Sequence, residues 1–173
     1  TLSVPTTIAP DDSLHLPVRH LDPAFVVLEK PGGVPGHALD PRQRGTVASF
    51  LLARFPETAA IGDRLGPGLV HRLDTGTSGV MLAARDPDSY RRLRSMFRSH
   101  QVAKLYLAIV AGDVSARGRI ITPVAHAPHN RRRMCVCPSA AQAQSLKARP
   151  AVTVYRPLRR LSAATLLAVK IGT

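Results

Sequence analysis

The sequence predicts a mixed α+β fold with a mainly antiparallel sheet and a few flanking helices. Three observations predict it: short apolar, β-branched runs dominate the chain, two or three helical segments lie between them, and Gly- or Pro-containing turns separate them. With 173 residues, 45% of them hydrophobic, the chain is long enough to bury a core. We therefore expect an extended lead-in over residues 1–13 and one globular domain over residues 14–173.

The first half of the chain is predicted to hold three strands and two helices. The strands are expected over residues 24–29, 69–73 and 80–84. The first helix is expected to begin at the capping residue Thr46 and to end near Phe55. The second is expected to begin after Asp86, with Pro87 at its first position. Its apolar residues share one face: Tyr90, Leu93 and Phe97.

The second half is predicted to consist mainly of strands. Alternating or β-branched runs place them over residues 104–110, 119–124, 134–137, 152–155 and 165–171. The basic run 131–133 is expected to lie in a loop that follows His126 and His129. No repeat and no low-complexity tract interrupts these elements.

The charge distribution indicates a polyanionic partner. The formal net charge is +13. Residues 1–86 hold eight bases and nine acids, whereas residues 87–173 hold sixteen bases and two acids. A one-sided positive field favours phosphate binding, because neutralising phosphates releases counterions. The alternative is an Arg-rich surface that is merely solvated. Aromatic residues make up 4% of the chain, so any base stacking must depend on one or two rings.

Several functional classes lack their sequence signals. Two cysteines cannot form a disulfide framework, and we find no signal peptide and no apolar run that could span a bilayer, so we expect a cytoplasmic protein that does not engage membranes. Neither a dinucleotide fingerprint nor a phosphate-binding P-loop is present, so we expect no cofactor. A zinc-binding regulator using His126, His129, Cys135 and Cys137 is an alternative, but no second ligand pair has zinc spacing, and we expect no metal.

The segment HRLDTGTSG at residues 71–79 is the strongest candidate for chemistry. An apolar run delivers Asp74 onto a Gly-rich turn beside Arg72, where a carboxylate can stay ionised and act as a nucleophile or a base. The alternative is an aspartate that only caps the turn. Ser78 does not stand in a G-x-S-x-G elbow, which argues against a serine hydrolase.

The ordered motifs of this chain resemble those of the RluA-type RNA pseudouridine synthases. Residues 71–80 (HRLDTGTSGV) resemble the family's H-R-L-D motif followed by T-S-G. Residues 25–37 (FVVLEKPGGVPGH) look like its strand followed by Lys-Pro-Gly, and residues 104–108 (KLYLA) look like its Lys-x-Tyr-x-Ala strand. Residues 151–173 look like the approach to its last motif, T-G-R-x-H-Q-x-R. The resemblance covers about residues 14–173.

The resemblance implies that uridine in RNA is isomerised to pseudouridine by base flipping and by cleavage and re-formation of the glycosidic bond. Asp74 would be the catalytic carboxylate, attacking C1′ or removing the 2′ proton. Tyr106 would be the second catalytic residue, stacking on the uracil and helping to remove the C5 proton; the alternative is a strand residue that packs in the core. Arg72 would enter the space that the base leaves; the alternative is an ion pair with Asp74.

The resemblance also implies RNA as the partner, either ribosomal or transfer RNA, and we expect a monomer. By charge and placement, the candidates for phosphate contacts are Arg91, Arg94, Arg98, Lys104, Arg131, Arg132 and Arg133.

The chain departs from the family pattern at its end, since residues 170–173 stop where T-G-R-x-H-Q-x-R would begin. We therefore expect a partial pseudouridine synthase catalytic domain, and no turnover from residues 1–173 alone, because the basic partner of the carboxylate belongs to that motif. The alternative function is a truncated or degenerate synthase that only binds RNA.

Overall fold

The computed structural model describes residues 8–172, apart from the side chains of Arg131 and Arg132. The chain divides into two compact units, residues 1–99 and 100–173. The units contain three α-helices and mostly antiparallel strands within the described range, as the predicted α+β class requires. None of the helices in residues 8–172 combines the length and the apolar character needed to cross a bilayer.

The first unit contains five strands, two helices and a 3-10 turn. Its strands are β1 (Val18–Leu21), β2 (Phe25–Lys30), β3 (Gly62–Asp63), β4 (Gly66–Pro67) and β5 (Gly79–Ala84), and its helices are α1 (Val47–Arg54), α2 (Pro87–Arg98) and a 3-10 turn at Pro56–Ala60. The unit is built on a three-stranded antiparallel sheet with the order β1-β2-β5. Its core cluster includes Val26 and Leu28 of β2, Met81 and Ala83 of β5, and Leu51 of α1.

Both helices of this unit begin at the residues that the sequence predicts. The Thr46 hydroxyl accepts a hydrogen bond from the Ser49 amide, and the Ser49 side chain accepts one from the Thr46 amide, which satisfies two otherwise free donors. The Asp86 carboxylate accepts one from the Ser89 amide ahead of α2. These caps confirm the predicted helices.

The second unit is a four-stranded antiparallel sheet accompanied by a β-hairpin and a short helix. The elements of this unit are β6 (Lys104–Ala111), β7 (Gly118–Ile121), β8 (Val124–Ala127), β9 (Asn130–Val136), α3 (Ala140–Ser145), β10 (Val152–Arg160) and β11 (Ala164–Gly172). The four strands of the sheet have the order β6-β11-β10-β7, so neighbouring strands are mostly distant in sequence. The short helix α3 has no counterpart in the sequence prediction.

Two predicted elements are wrong. Residues 69–73 do not form a strand: Leu69 makes an isolated bridge with Ala83, and the chain then leaves β5. The Arg131–Arg133 run lies in strand β9 rather than in a loop. Ala127 pairs with Asn130, so Pro128 and His129 form a two-residue turn and the arginines fall in the returning strand.

Candidate active site

Asp74 lies on an open turn with its carboxylate in solvent. Its side chain is 85% exposed, and its carbonyl oxygen accepts a 2.9 Å hydrogen bond from the Thr77 amide. Arg72 is 76% exposed, and its Nη2 lies 3.8 Å from Asp74 Oδ1. The ion pair with Asp74, which was the alternative role for Arg72, is thus formed in the structure. Exposed ion pairs of this kind contribute little to folding stability. The carboxylate is therefore accessible to a ligand, and Arg72 can leave it at small cost.

A buried lysine lies beneath this turn. Lys30 ends β2 and has no exposed surface. Its Nζ donates to three carbonyl oxygens: Val34 at 2.7 Å, Pro31 at 3.0 Å and Thr75 at 3.1 Å. Burial lowers the pKa of Lys30, and the charge of Asp74 opposes that shift. The ammonium group therefore joins the 31–34 loop to the turn that carries Asp74.

The two loops also meet through their backbones. The Gly33 amide donates to the Thr75 carbonyl at 2.8 Å, so this oxygen accepts from both Gly33 and Lys30. Gly33 has φ +89°, which a residue with a side chain adopts only with strain, and a Cβ on Gly32 would lie 3.4 Å from the Gly76 carbonyl. Lys-Pro-Gly-Gly therefore forms a backbone support for the turn that carries Asp74.

Helix α2 supports the residues that precede Asp74. The imidazole of His71 stacks on Phe97, with centroids 4.6 Å apart and planes 16° apart. His71 Nε2 accepts a 2.9 Å hydrogen bond from the Leu82 amide of β5, and Arg94 donates to the Val70 carbonyl at 3.3 Å.

Three of the basic residues predicted to contact phosphate lie on α2. Arg94 is half-buried and bonds to the backbone, Arg91 pairs with Asp88, and Arg98 is exposed.

His37 lies at the same end of the unit, packed against Gly66. Burial lowers the pKa of His37, Arg72 and then Arg94 act in the same direction, and Asp63 opposes them. The imidazole therefore favours its neutral form. His37 is thus, after His71, a second half-buried imidazole in this unit, and it is close enough to Arg72 and Arg94 to feel their charges.

The other predicted site residues belong to the second unit. Tyr106 lies on β6 opposite Val169 of β11, and both Tyr106 and Lys104 are half-buried on one face of the strand. Arg133 of β9 is exposed, and the side chains of Arg131 and Arg132 lie outside what the structure describes. Asp74 and Arg72 are thus brought together within the first unit, whereas Tyr106 and Lys104 are brought together within the second.

Cations that the sequence analysis did not name line a groove on the second sheet. The groove has a volume of about 600 Å³ and crosses all four strands. Leu105, Lys170, Val154 and Arg119 are paired in register, so they form one row across the sheet. Arg117 and Arg156 lie beside this row. Only strand pairing, which sequence periodicity does not give, brings these charges onto one surface.

The side chains named for the alternative of a zinc-binding regulator are His126, His129, Cys135 and Cys137. Within residues 8–172, no group of three or more His, Cys, Asp or Glu side chains comes together to hold a metal ion. Cys135 and Cys137 do lie side by side, since their side chains share a hydrogen bond. Burial, and then the neighbouring Cys135, raises the pKa of the Cys137 thiol. A raised pKa disfavours the thiolate that zinc requires.

Lys30 and His71 are functional candidates whose roles the residue pattern did not reveal. The sequence does contain a feature that points to each residue. Lys30 stands at the end of a predicted strand, and His71 precedes Asp74 by three residues. Neither signal specifies a partner, because Thr75 is 45 residues from Lys30 and Leu82 is 11 residues from His71.

Comparison with known proteins gives consistent matches. Residues 24–173 match the family model described as RNA pseudouridylate synthase. An uncharacterized RNA pseudouridine synthase of Chloroflexus aurantiacus is 38% identical over 144 residues, which are 83% of this chain and 43% of that protein. Ribosomal large subunit pseudouridine synthase D of Xanthomonas campestris is 34% identical over 172 residues, which are 99% of this chain and 48% of that protein.

Two solved human structures share the fold. The structure of human RNA pseudouridylate synthase domain containing 4 has a TM-score of 0.63 at 26% identity, covering 89% of this chain and 58% of that chain. Human RNA pseudouridylate synthase domain containing 1 has a TM-score of 0.70 at 22% identity, covering 95% of this chain and 62% of that chain, and shows the fold alone. The chain spans about half the length of the curated relatives it matches.

Proposed function

This chain belongs to the RNA pseudouridylate synthase family, and on that premise we propose that it isomerises uridine to pseudouridine in structured RNA. The family that the sequence motifs resemble is thereby confirmed. The activity, the substrate and the site residues are proposals about the protein as it acts in the cell. The main support is the exposed Asp74 carboxylate on a turn that Lys30 and Gly33 anchor through the backbone.

In the proposed reaction, the N1–C1′ bond breaks, the uracil turns, and a C5–C1′ bond forms. The C5 proton is lost to a base or to water, and N1 regains a proton, so atoms balance without any redox partner. Asp74 either attacks C1′ or removes the 2′ proton, and both roles require an ionised carboxylate with free access. The solvent-exposed position of Asp74 supports both roles equally.

Base flipping is required before this chemistry, because C1′ and the uracil edge are inaccessible within a stacked helix; unstacking costs a few kcal/mol. We propose that Arg72 leaves its long ion pair with Asp74 and fills the vacated space. We also propose that the Tyr106 ring stacks on the flipped uracil, and that exposed cations such as Arg98 and Arg133 contact phosphates.

We further propose which RNA is the substrate, where the protein acts and in which oligomeric state. Ribosomal or transfer RNA is the proposed substrate, and the name of the Xanthomonas relative makes large-subunit ribosomal RNA the first to test. We propose that the protein acts in the cytoplasm as a monomer. Its positive second half would attract either RNA in a salt-dependent manner.

The deciding experiment is deletion of the chromosomal gene, followed by carbodiimide primer extension on ribosomal and transfer RNA. We expect at least one pseudouridine to disappear, to return with the wild-type gene, and to stay absent with Asp74→Asn. An unchanged pseudouridine pattern after deletion would contradict the proposed reaction. Restoration by Asp74→Asn would remove Asp74 from its role.

A further inference from the structure

Strand β5 has one edge that no full strand among residues 8–172 covers. The sheet order β1-β2-β5 leaves this edge to the segment that leads to Asp74. The Ala84 amide on this edge donates to the Gly68 carbonyl at 2.8 Å. The next outward amide, that of Leu82, donates at 2.9 Å to a side chain instead, His71 Nε2. An imidazole nitrogen thus occupies the place of a strand carbonyl.

This hydrogen bond makes Nε2 of the ring an acceptor. A backbone amide can only donate, so His71 Nε2 must carry a lone pair, and the proton of the neutral imidazole must be on Nδ1. Stacking on Phe97, with the planes 16° apart, fixes the plane of the ring. The position and the orientation of the imidazole are therefore determined by two separate elements, β5 and α2.

From this geometry we propose that His71 is a positioning residue for Asp74; the inference rests on the proposed function. Asp74 lies between two anchors, the His71 ring on β5 and the Thr75 carbonyl on Gly33 and Lys30. Arg72 and Asp74 between these anchors are exposed. Without the first anchor the carboxylate gains freedom, and misplacement by about 1 Å can cost about 10²-fold in rate.

A pair of substitutions separates the acceptor role from simple packing. His71→Phe keeps a ring against Phe97 but removes the acceptor. His71→Gln removes the ring but places an amide oxygen at the same number of bonds from Cβ as Nε2. We expect kcat for pseudouridine formation to fall by at least about tenfold in His71→Phe, with KM changed less than about twofold. We expect His71→Gln to recover most of kcat.

Two readouts on each variant make the test decisive. The first is kcat and KM of the protein produced from its chromosomal gene, on RNA from the deletion strain. The second is hydrogen exchange of the Leu82 amide in the 173-residue chain. We expect Leu82 to be protected in wild type and His71→Gln and unprotected in His71→Phe. His15 is an exposed histidine of the same unit, and His15→Phe is the matched control, expected to change neither readout.

The outcomes distinguish this inference from the proposed function. Wild-type kcat in His71→Phe would overturn the positioning role while leaving the reaction intact. Equal loss of kcat in His71→Gln and His71→Phe, or failure of both variants to fold, would overturn the acceptor role. A wild-type protein without activity contradicts the proposed function, and a protected Leu82 amide in His71→Phe then contradicts the anchor as well.

Discussion

Lys30 Nζ and the Thr75 carbonyl oxygen lie 3.1 Å apart, although 45 residues separate them in the chain. This hydrogen bond joins the end of a core strand to the residue that follows Asp74. The buried ammonium also donates to Pro31 and Val34, so a single side chain satisfies carbonyl oxygens from two loops. A buried lysine thus helps to hold the turn that carries an exposed carboxylate.

Lys30→Met is expected to destabilise the first unit. The methionine fills much of the lysine volume but removes the donor to the Pro31 and Val34 carbonyl oxygens and leaves the Thr75 carbonyl with the Gly33 amide, at a cost of about 1–3 kcal/mol for each acceptor left unsatisfied. Urea unfolding followed by amide signals of β2 measures the change. Lys147→Met is the control, since this side chain is exposed and lies in the second unit. Equal stability of wild type and Lys30→Met would contradict the anchoring role.

Asp74→Asn is expected to remove activity without weakening the fold. The side chain is 85% exposed and its ion pair with Arg72 is long, so little folding free energy depends on it. Loss of an essential acid or base lowers rates by about 10²–10⁴-fold. Tritium release from RNA labelled at C5 of uridine measures the rate, and thermal unfolding measures stability. A lower melting temperature would instead assign Asp74 a structural role.

The stability of the first unit is expected to depend on His37 below neutral pH. Burial and Arg72 lower the pKa of His37 in the folded state, whereas the unfolded histidine titrates near about 6.5. The unfolded chain therefore binds more protons below that pH, and the contribution of His37 is complete above about 6.5 and is lost as pH falls through its folded pKa.

His37→Gln tests this dependence, because glutamine does not titrate in this range. Unfolding free energies measured from pH 7.5 down to pH 5 should fall less steeply in the variant than in wild type. The exposed His15 provides the control, and His15→Gln should keep the wild-type slope. The lowered pKa values of Asp11 and Asp86 contribute only at a lower pH, where carboxylates protonate, so the two effects are separable. Equal slopes in His37→Gln and wild type would exclude His37 as the source.

Arg98 is expected to contribute one phosphate contact that depends on salt. It is exposed at the end of α2 within the positive half of the chain. Each neutralised phosphate changes the slope of log K against log[salt] by about 0.7–0.9. Arg98→Gln should therefore flatten that slope by about one unit in filter-binding titrations with RNA. Arg54→Gln is the control, since Arg54 is also exposed on a helix but belongs to the half with a net charge near zero. A slope unchanged by Arg98→Gln would place the RNA elsewhere.

Local chemistry explains which elements the sequence predicts correctly. Thr46 and Asp86 mark helix starts because their side chains bond amides only three residues away. Strands β2, β5, β6 and β11 follow from apolar runs that need no knowledge of their partners. The same apolar pattern predicted a strand over residues 69–73, and that prediction is wrong. The Leu82 amide on the facing edge of β5 donates to the His71 ring instead of to a strand carbonyl.

The α+β class, the family and the candidate carboxylate follow from the order of the residues, because caps, apolar runs and the HRLD motif are contiguous in the chain. Three relationships become visible only in the folded chain: Lys30 anchors the Asp74 turn, His71 bonds to the edge of β5, and four cations line one groove. These relationships join residues that are distant in sequence, and strand pairing and burial, rather than residue spacing, bring them together.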